Sequence, residues 1–262
     1  MGRFDGEVVW ITGGGTGLGR ALALELGRQG ATVAVSGRRA DRLAEVVEAL
    51  GEIGAKGLAV PCDVTQEESV QQAVASVVAQ AGRLTIAIAN AGFGVAGRIA
   101  TLSDADWRRQ FDTNVFGLLH TVRAALPELE KHQGRVVLLG SVAAFVAAPK
   151  NGAYNASKAA VRAIGDTLSA ELAGTGVTCT TLHPGFVATE IGRVDNQGVY
   201  HPDKRDKRPG RLMWTAEAAA KAMVGPIAAR KREHVFTGHG KVGVALSRLA
   251  PGLTHWLVAK AR

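Results

Sequence analysis

The sequence predicts an α/β protein: one doubly wound domain, residues 1–262, around a parallel, roughly seven-stranded sheet. Three observations carry that expectation. Short apolar, β-branched runs alternate with longer helical patterns from residue 7 to about 182. The runs are apolar nearly without interruption, as strands covered on both faces are. No low-complexity linker and no repeat of solenoid period divides the chain.

In order, VVWIT (8–12) reads as the first strand, followed by the helical pattern LGRALALELGRQ. TVAVS (32–36) leads to RADRLAEVVEALGEIG, GLAVPC (57–62) to EESVQQAVASVVAQAG, and LTIAIA (84–89) to a less regular stretch. RVVLLG (135–140), a long helix ending at LSAELAGTG, and VTCTTL (177–182) follow, with HVFTG (234–238) as the last strand. Several of the helical patterns stop at glycine, the usual left-handed terminator. Residues 186–214 break the rhythm: they are polar, punctuated by Gly and Pro, and rich in charge. A long loop beyond a strand's carboxyl end is where function concentrates, so 186–214 is expected to form a substrate loop.

Composition narrows the classes. Hydrophobic residues make up 47% and charged residues 21%, which excludes a disordered chain. Aromatics are only 5%, so the core is built from small aliphatic side chains that suit close helix-on-sheet layers. The formal charge of +8 raises the question of a polyanion, but no aromatic-interleaved basic strand or zinc-finger spacing accompanies it, and no nucleic-acid partner is expected. Cys62 and Cys179 sit in apolar runs with no CxxC and read as buried, inert thiols. No metal-ligand spacing and no G-x-S-x-G elbow is present. The N-terminus has no signal core, and no stretch reaches the length of a spanning helix, so a soluble cytoplasmic protein is expected.

Two stretches carry chemistry. Thr12 to Gly19, TGGGTGLG, runs from the first strand into a helix, where free N–H groups and a positive dipole end attract phosphate. Gly13, Gly17 and Gly19 give G-x-x-x-G-x-G, and Arg20-Ala21 stands where a nucleotidase loop needs Lys-Ser/Thr, so a dinucleotide loop is favoured over an ATP site. At the end of the second strand, Ser36-Gly37-Arg38-Arg39 offers two guanidiniums and no carboxylate, which suits a 2′-phosphate and predicts NADPH over NADH. The second stretch is YNASK. Helical i,i+4 spacing puts Tyr154 and Lys158 on one face, where an ammonium is expected to lower the phenol's pKa.

Together these residues resemble the short-chain dehydrogenase/reductase family. The resemblance runs in order through TGGGTGLG, CDV (62–64), NAG (90–92), Asn114, Ser141, YNASK and HPGFVATE (183–190), and so covers nearly the whole chain. The family's more usual doubled asparagine is reduced here to Ala89-Asn90. The resemblance implies a Rossmann-type fold and an NADP(H)-dependent carbonyl reductase, or the reverse alcohol dehydrogenase. It implies that Ser141 holds the substrate oxygen, Tyr154 donates the proton, Lys158 binds the nicotinamide ribose and keeps the phenol acidic, and Asn114 positions a relay water. It implies cofactor contacts from Gly13, Gly15, Thr16, Gly17, Leu18, Gly19, Arg38 and Arg39 in the first half. Asp63 and Val64 resemble adenine contacts, Asn90, Ala91 and Gly92 the stretch beside the adenine-side ribose, and Pro184, Gly185, Val187 and Thr189 the nicotinamide-side loop.

The substrate wall is expected from 143–151, 93–95 and the 186–214 loop, favouring a small hydrophobic carbonyl or alcohol. A 3-oxoacyl thioester reductase and a non-catalytic NADP(H)-sensing protein stand as alternatives. His183, before Pro184-Gly185, reads as structural rather than catalytic, and His120 as packing. The C-terminal extension 239–262 carries Lys241, Arg248, Lys260 and Arg262 with no acidic residue after Glu233. It is open to three readings: a pocket cover, a subunit contact, or a basic segment in weak contact with a membrane surface. SKAAVRAIGDTLSAEL (157–172) is expected to supply a face for a homodimer or homotetramer.

Overall fold

The computed structural model describes residues 2–206 and 208–260. Seven parallel strands form one sheet in the order β3-β2-β1-β4-β5-β6-β7: β1 (Val8–Thr12), β2 (Thr32–Gly37), β3 (Gly57–Pro61), β4 (Ile86–Ala89), β5 (Arg135–Leu139), β6 (Thr178–His183) and β7 (Glu233–Val235). The helices between them are α1 (Gly17–Arg28), α2 (Ala40–Glu52), α3 (Glu67–Ala81), α4 (Asp104–Phe111), α5 (Gly117–Lys131), α6 (Gly152–Glu171) and α7 (Ala216–Ala228). Two more, α8 (Gly238–Leu249) and α9 (Pro251–Lys260), close the chain.

Alternation along the strands explains the three layers. In β1, Val9 and Ile11 face the helices α1, α2 and α7, packing with Leu22, Leu43 and Met223. Val8 and Trp10 face the opposite layer of α3, α5 and α6, with Val70, Leu118 and Val161. Both faces are covered, which is why the strands lack polar alternation. One polar atom of the core is matched individually: Trp10 Nε1 donates to Ser36 Oγ at 2.8 Å, and Ser36 Oγ donates to Val60 O at 2.6 Å.

Local chemistry sets the ends of the elements. Ser103 caps α4 by accepting from Asp106 N at 3.2 Å, while the Asp106 carboxylate accepts from Ser103 N at 3.1 Å. Gly82, at φ +79°, ends α3 in the left-handed region. Between α4 and α5 the helix widens into a π-turn over Asp112–Phe116, which carries Asn114. The last strand is shorter than expected. It ends at Val235 instead of reaching residue 238, because Thr237 already stands at the N-cap of α8. The extension is two helices broken at Ala250–Pro251, and Pro251 occupies a first-turn position where its missing N–H costs nothing. Its last two residues, including Arg262, lie outside the described residues.

The sheet order places a switch point between β1 and β4: from β1 the chain winds outward to β2 and β3, then returns to β4 and continues the other way. The carboxyl ends of these strands therefore splay apart and leave a crevice, the place where open α/β sheets bind ligands.

Candidate active site

A cleft of about 690 Å³ lies over the carboxyl ends of the strands. Its floor is the turn from β1 into α1. A Cβ on Gly13 would stand 2.8 Å from Ala91 Cα, and one on Gly19 would stand 2.3 Å from Gly13 O, so this turn closes only with glycine at both positions. Gly13 also has φ +64°. The turn aims the N-terminus of α1 into the cleft, with no acidic residue in the first helical turn to occupy its donors. Asn90 ties the next wall to this floor: its Nδ2 donates to Thr12 O at 2.8 Å and Gly13 O at 3.0 Å. Thr12 Oγ1 in turn accepts from Asn90 N at 3.1 Å and Ala91 N at 3.2 Å. The glycine floor and the NAG stretch are thus one hydrogen-bonded unit.

Of the residues expected at the site, Gly13, Gly15 to Gly19, Arg38, Arg39, Asp63, Val64, Asn90 to Gly92, Ser141, Tyr154, Lys158, Pro184, Gly185, Val187 and Thr189 all border this cleft. Asn114 does not. It is buried beneath the wall, where its Oδ1 accepts from Phe93 N at 3.1 Å and its Nδ2 donates to Phe93 O at 3.1 Å and Ser157 Oγ at 3.2 Å. Asp63 Oδ1 accepts from Thr65 N at 3.0 Å and Thr65 Oγ1 at 2.8 Å, fixing the turn after β3. The expected wall at 143–151 does not border the cleft, because the chain after Ser141 coils into a 3₁₀ turn at Val142–Ala144 and sends Phe145 onto His183.

At the other end, Tyr154 stands on the first turn of α6 and Lys158 one turn on, as the i,i+4 spacing requires. Lys158 Nζ lies 5.9 Å from the phenol ring centroid and donates to Leu139 O at 2.7 Å. The expectation of an acidified phenol is corrected here. Burial raises the Tyr154 pKa, and the lowering influences are the Ser141 hydroxyl and the Arg208 charge, which do not overcome it. Lys158 is not among the groups that lower it; burial brings the Lys158 pKa from 10.5 to about 8, which leaves the ammonium charged at neutral pH. A phenol that keeps its proton is suited to donating it, so the arrangement fits an acid in the reductive direction. The two cysteines are inert as expected, Cys62 with its thiol pushed up by burial and Cys179 pushed up to about 12.

Arg208 lies in the expected substrate loop but was not singled out within it. From the 186–214 segment it reaches back over the cleft, donating to Val187 O at 2.9 Å and Thr189 O at 3.1 Å while pairing with Asp206 at 2.7 Å. Nothing in the local pattern of "DKRDKRPGR" distinguishes it from its basic neighbours. Arg42 was also missed. It borders the cleft beside Arg38 and Arg39 and is held by Glu45 at 3.0 Å. Arg39 spans to Glu190 at 3.2 Å across the cleft mouth, whereas no ion pair ties Arg38 among the described residues. No cluster of three or more His, Cys, Asp or Glu able to hold a metal occurs among the described residues.

Comparison with known proteins agrees with this geometry. The family model for short chain dehydrogenase matches residues 7–199. Among curated relatives, the 11-beta-hydroxysteroid dehydrogenase 1A of Arabidopsis thaliana is 32% identical over 259 residues, covering 96% of this chain and 74% of the relative. A 3beta-hydroxysteroid dehydrogenase of Mediterraneibacter gnavus is 34% identical over 192 residues, 73% of this chain and 70% of its own. Among solved structures, a short chain dehydrogenase/reductase from Burkholderia phymatum in complex with NAD superimposes with a TM-score of 0.83 at 30% identity, covering 94% of both chains. An alcohol dehydrogenase from Thermococcus sibiricus complexed with 5-hydroxy-NADP gives a TM-score of 0.76 at 27% identity, over 87% of this chain and 95% of that one. With the family model spanning most of the chain and the glycine turn, Ser141, Tyr154 and Lys158 gathered in one crevice, this protein belongs to the short-chain dehydrogenase family of oxidoreductases.

Proposed function

We propose that the protein is an NADP(H)-dependent oxidoreductase that interconverts a carbonyl and a secondary alcohol on a hydrophobic substrate. The observation that carries the reading is the placing of one half-buried phenol, Tyr154, beside the Ser141 hydroxyl and one helical turn from Lys158, in the same cleft as the Gly13–Gly19 turn. The residues present fit a dinucleotide: glycines at 13 and 19 let the turn close tightly against its own backbone and Ala91, bare of side chains at the cleft floor, and the N-terminus of α1 faces the cleft. The nicotinamide, when bound, supplies the hydride. The chain's own part is to hold the substrate oxygen at Ser141 and to pass it the Tyr154 proton, while Lys158 holds positive charge near the phenol. Asn114 is read as supporting this site from below through Phe93 and Ser157.

The choice of NADP(H) rests on the strand end Ser36-Gly37, which offers no carboxylate, and on Arg38, Arg39 and Arg42 around the same corner. Support for a hydrophobic substrate comes from Phe93, Ile191, Val194 and Val199 on the cleft wall and from the hydroxysteroid dehydrogenases among the relatives. The test is NADPH oxidation with a panel of alicyclic ketones, hydroxysteroid-type ketones and 3-oxoacyl thioesters, run beside equilibrium NADPH and NADH binding. Turnover of the ketones with NADPH supports the reading. Preference for the thioesters shifts the substrate class, and NADPH binding without turnover of any of them leaves a nucleotide-sensing protein.

No helix among the described residues is long and apolar enough to cross a membrane. We read the extension as a surface contact: Leu249 is 86% exposed, and Leu253, Trp256 and Leu257 are exposed near Lys260. Leu253, Trp256 and Leu257, at i, i+3 and i+4, share one face of α9, and Leu249 stands at the end of α8. Co-sedimentation of the full chain with anionic vesicles, and its mass in solution, distinguish a membrane surface from a second copy of the chain as the partner.

A further inference from the structure

His183 is fully buried at the carboxyl end of β6, immediately before the loop that borders the cleft. Its Nδ1 lies 3.2 Å from the carbonyl oxygen of Ser141. A carbonyl can only accept, so this contact places the imidazole proton on Nδ1. Burial lowers the His183 pKa to about 4, so the ring is neutral and carries that single proton at neutral pH. The chain just past β5 leaves space for the ring: a Cβ on Gly140, the residue before Ser141, would stand 2.5 Å from His183 Nδ1. The ring is held on its other sides as well. Phe145 meets it edge-on at 4.9 Å, and the Phe145 face is covered by the guanidiniums of Arg162, 4.4 Å away, and Arg248, 5.1 Å away. Glu233 Oε1 of β7 lies 3.3 Å from Nε2 without making a hydrogen bond to it, consistent with the proton on Nδ1, and the Glu233 carboxylate is held by Arg248 of α8 at 2.8 Å. The charged groups around the ring are therefore Glu233 from β7, Arg162 and Lys158 from α6, and Arg248 from α8.

We propose that His183 is a positioning residue for Ser141: its Nδ1–H fixes the Ser141 carbonyl and so aims the Ser141 hydroxyl at the substrate oxygen beside Tyr154. The proposal rests on the oxidoreductase reading for its catalytic consequence and on geometry alone for its structural one. Ser141 does two local jobs. Its Oγ accepts from Ala143 N at 3.1 Å, starting the 3₁₀ turn, and its hydroxyl faces the phenol. On the carbonyl side, Ser141 O accepts from Ala144 N at 3.0 Å within the turn and Val142 N donates to Pro184 O at 2.9 Å, and His183 adds a side-chain donor that ties this peptide to β6. Arg248 lies beyond the residues matched by the family model, so the first helix of the extension reaches the site through Glu233 and Phe145.

The experiment compares His183→Asn with His183→Leu. The two side chains are of similar size, and the Asn amide nitrogen lies the same number of bonds from Cβ as Nδ1, so only Asn keeps the donor. Two readouts are taken on full-length protein: turnover with a ketone that the wild type reduces, and amide hydrogen exchange across Val142–Ala144. For Leu we expect kcat to fall about 100-fold, the size of effect a misplaced catalytic group produces. Its KM for NADPH should stay within about threefold, and exchange at Ala143 should quicken about tenfold, as the loss of one hydrogen bond implies. Asn should retain most of both properties. A folded His183→Leu with wild-type kcat and wild-type exchange overturns the proposal, as does equal loss in Asn and Leu. Should Leu fail to fold, His183→Gln, whose amide lies one bond too far, takes its place with the same outcomes. If the wild-type protein reduces no ketone, the oxidoreductase reading fails, while the exchange comparison still decides whether His183 holds Ser141.

Discussion

The two ends of the cleft are built by different means. At the β1–β4 end, each wall is a short contiguous stretch: the Gly13–Gly19 turn, the Asp63–Thr65 turn, and Asn90–Gly92 locked to Thr12 through the backbone and one amide. At the β5–β7 end, the walls are held by long-range side chains. Arg208 clasps Val187 and Thr189, Arg248 reaches Glu233, and His239 Nε2 accepts from Phe186 N at 3.0 Å while stacking on the Phe186 ring at 5.4 Å. On the proposed reading, the first end takes the dinucleotide that nicotinamide enzymes share and the second fits the substrate, and long-range side-chain contacts would let that fit change without altering the strands.

That contrast can be broken most severely at its centre. Tyr154→Phe removes the proton donor common to both ends, and turnover should drop about 10³-fold, within the range of general acid catalysis, with NADPH binding within twofold by fluorescence titration. Retained turnover would remove Tyr154 from the mechanism. Gly19→Ala acts on the first end alone. Its Cβ would stand 2.3 Å from a backbone oxygen that cannot swing away, so NADPH affinity should fall about 100-fold and the unfolding midpoint should drop. Arg38→Asp at the same end should lower the preference for NADPH over NADH about 10- to 100-fold, since a carboxylate repels a 2′-phosphate and accepts from a 2′-hydroxyl. Equal loss with both cofactors would count against the assignment.

Arg208→Ala probes the second end. It leaves two carbonyls and Asp206 without their guanidinium, and the expected result is a KM for substrate raised about tenfold, with NADPH affinity changed less than threefold. An equal rise in both constants would make the two ends one unit. The smallest effect, and one of opposite sign, is on stability. The folded protein depresses the Lys158 pKa to about 8, so between pH 8 and 10.5 the unfolded chain binds more protons and stability rises with pH. Lys158→Met removes a charge that the fold disfavours, and at pH 7 its unfolding midpoint should rise by about 2–4 °C while turnover falls. A lower midpoint would show that the bond to Leu139 O outweighs the burial of the ammonium.

The first end was legible in the sequence because its signals are local. Apolar runs placed six of the seven strands to within two residues, and the glycine spacing located the turn that lines the floor. Tyr154 and Lys158 were equally legible, since their relation is one helical turn. The last strand was overextended because nothing in HVFTG marks the point where Thr237 begins a helix. The sign of the Tyr154 shift was misjudged for a deeper reason: spacing reports which charges are near, whereas the raised pKa comes from burial, which sequence spacing does not encode.

By itself, the sequence determined the sheet, its two covered faces, the glycine floor and the tyrosine–lysine pair, because each follows from residues within one turn or one alternation of one another. Only the tertiary structure decided that Asn114 lies beneath the cleft wall, that Arg208 out of a run of basic residues reaches over the cleft, and that His183 stands against Ser141. These depend on where chain segments separated by tens of residues come to rest, and on how much water their packing removes.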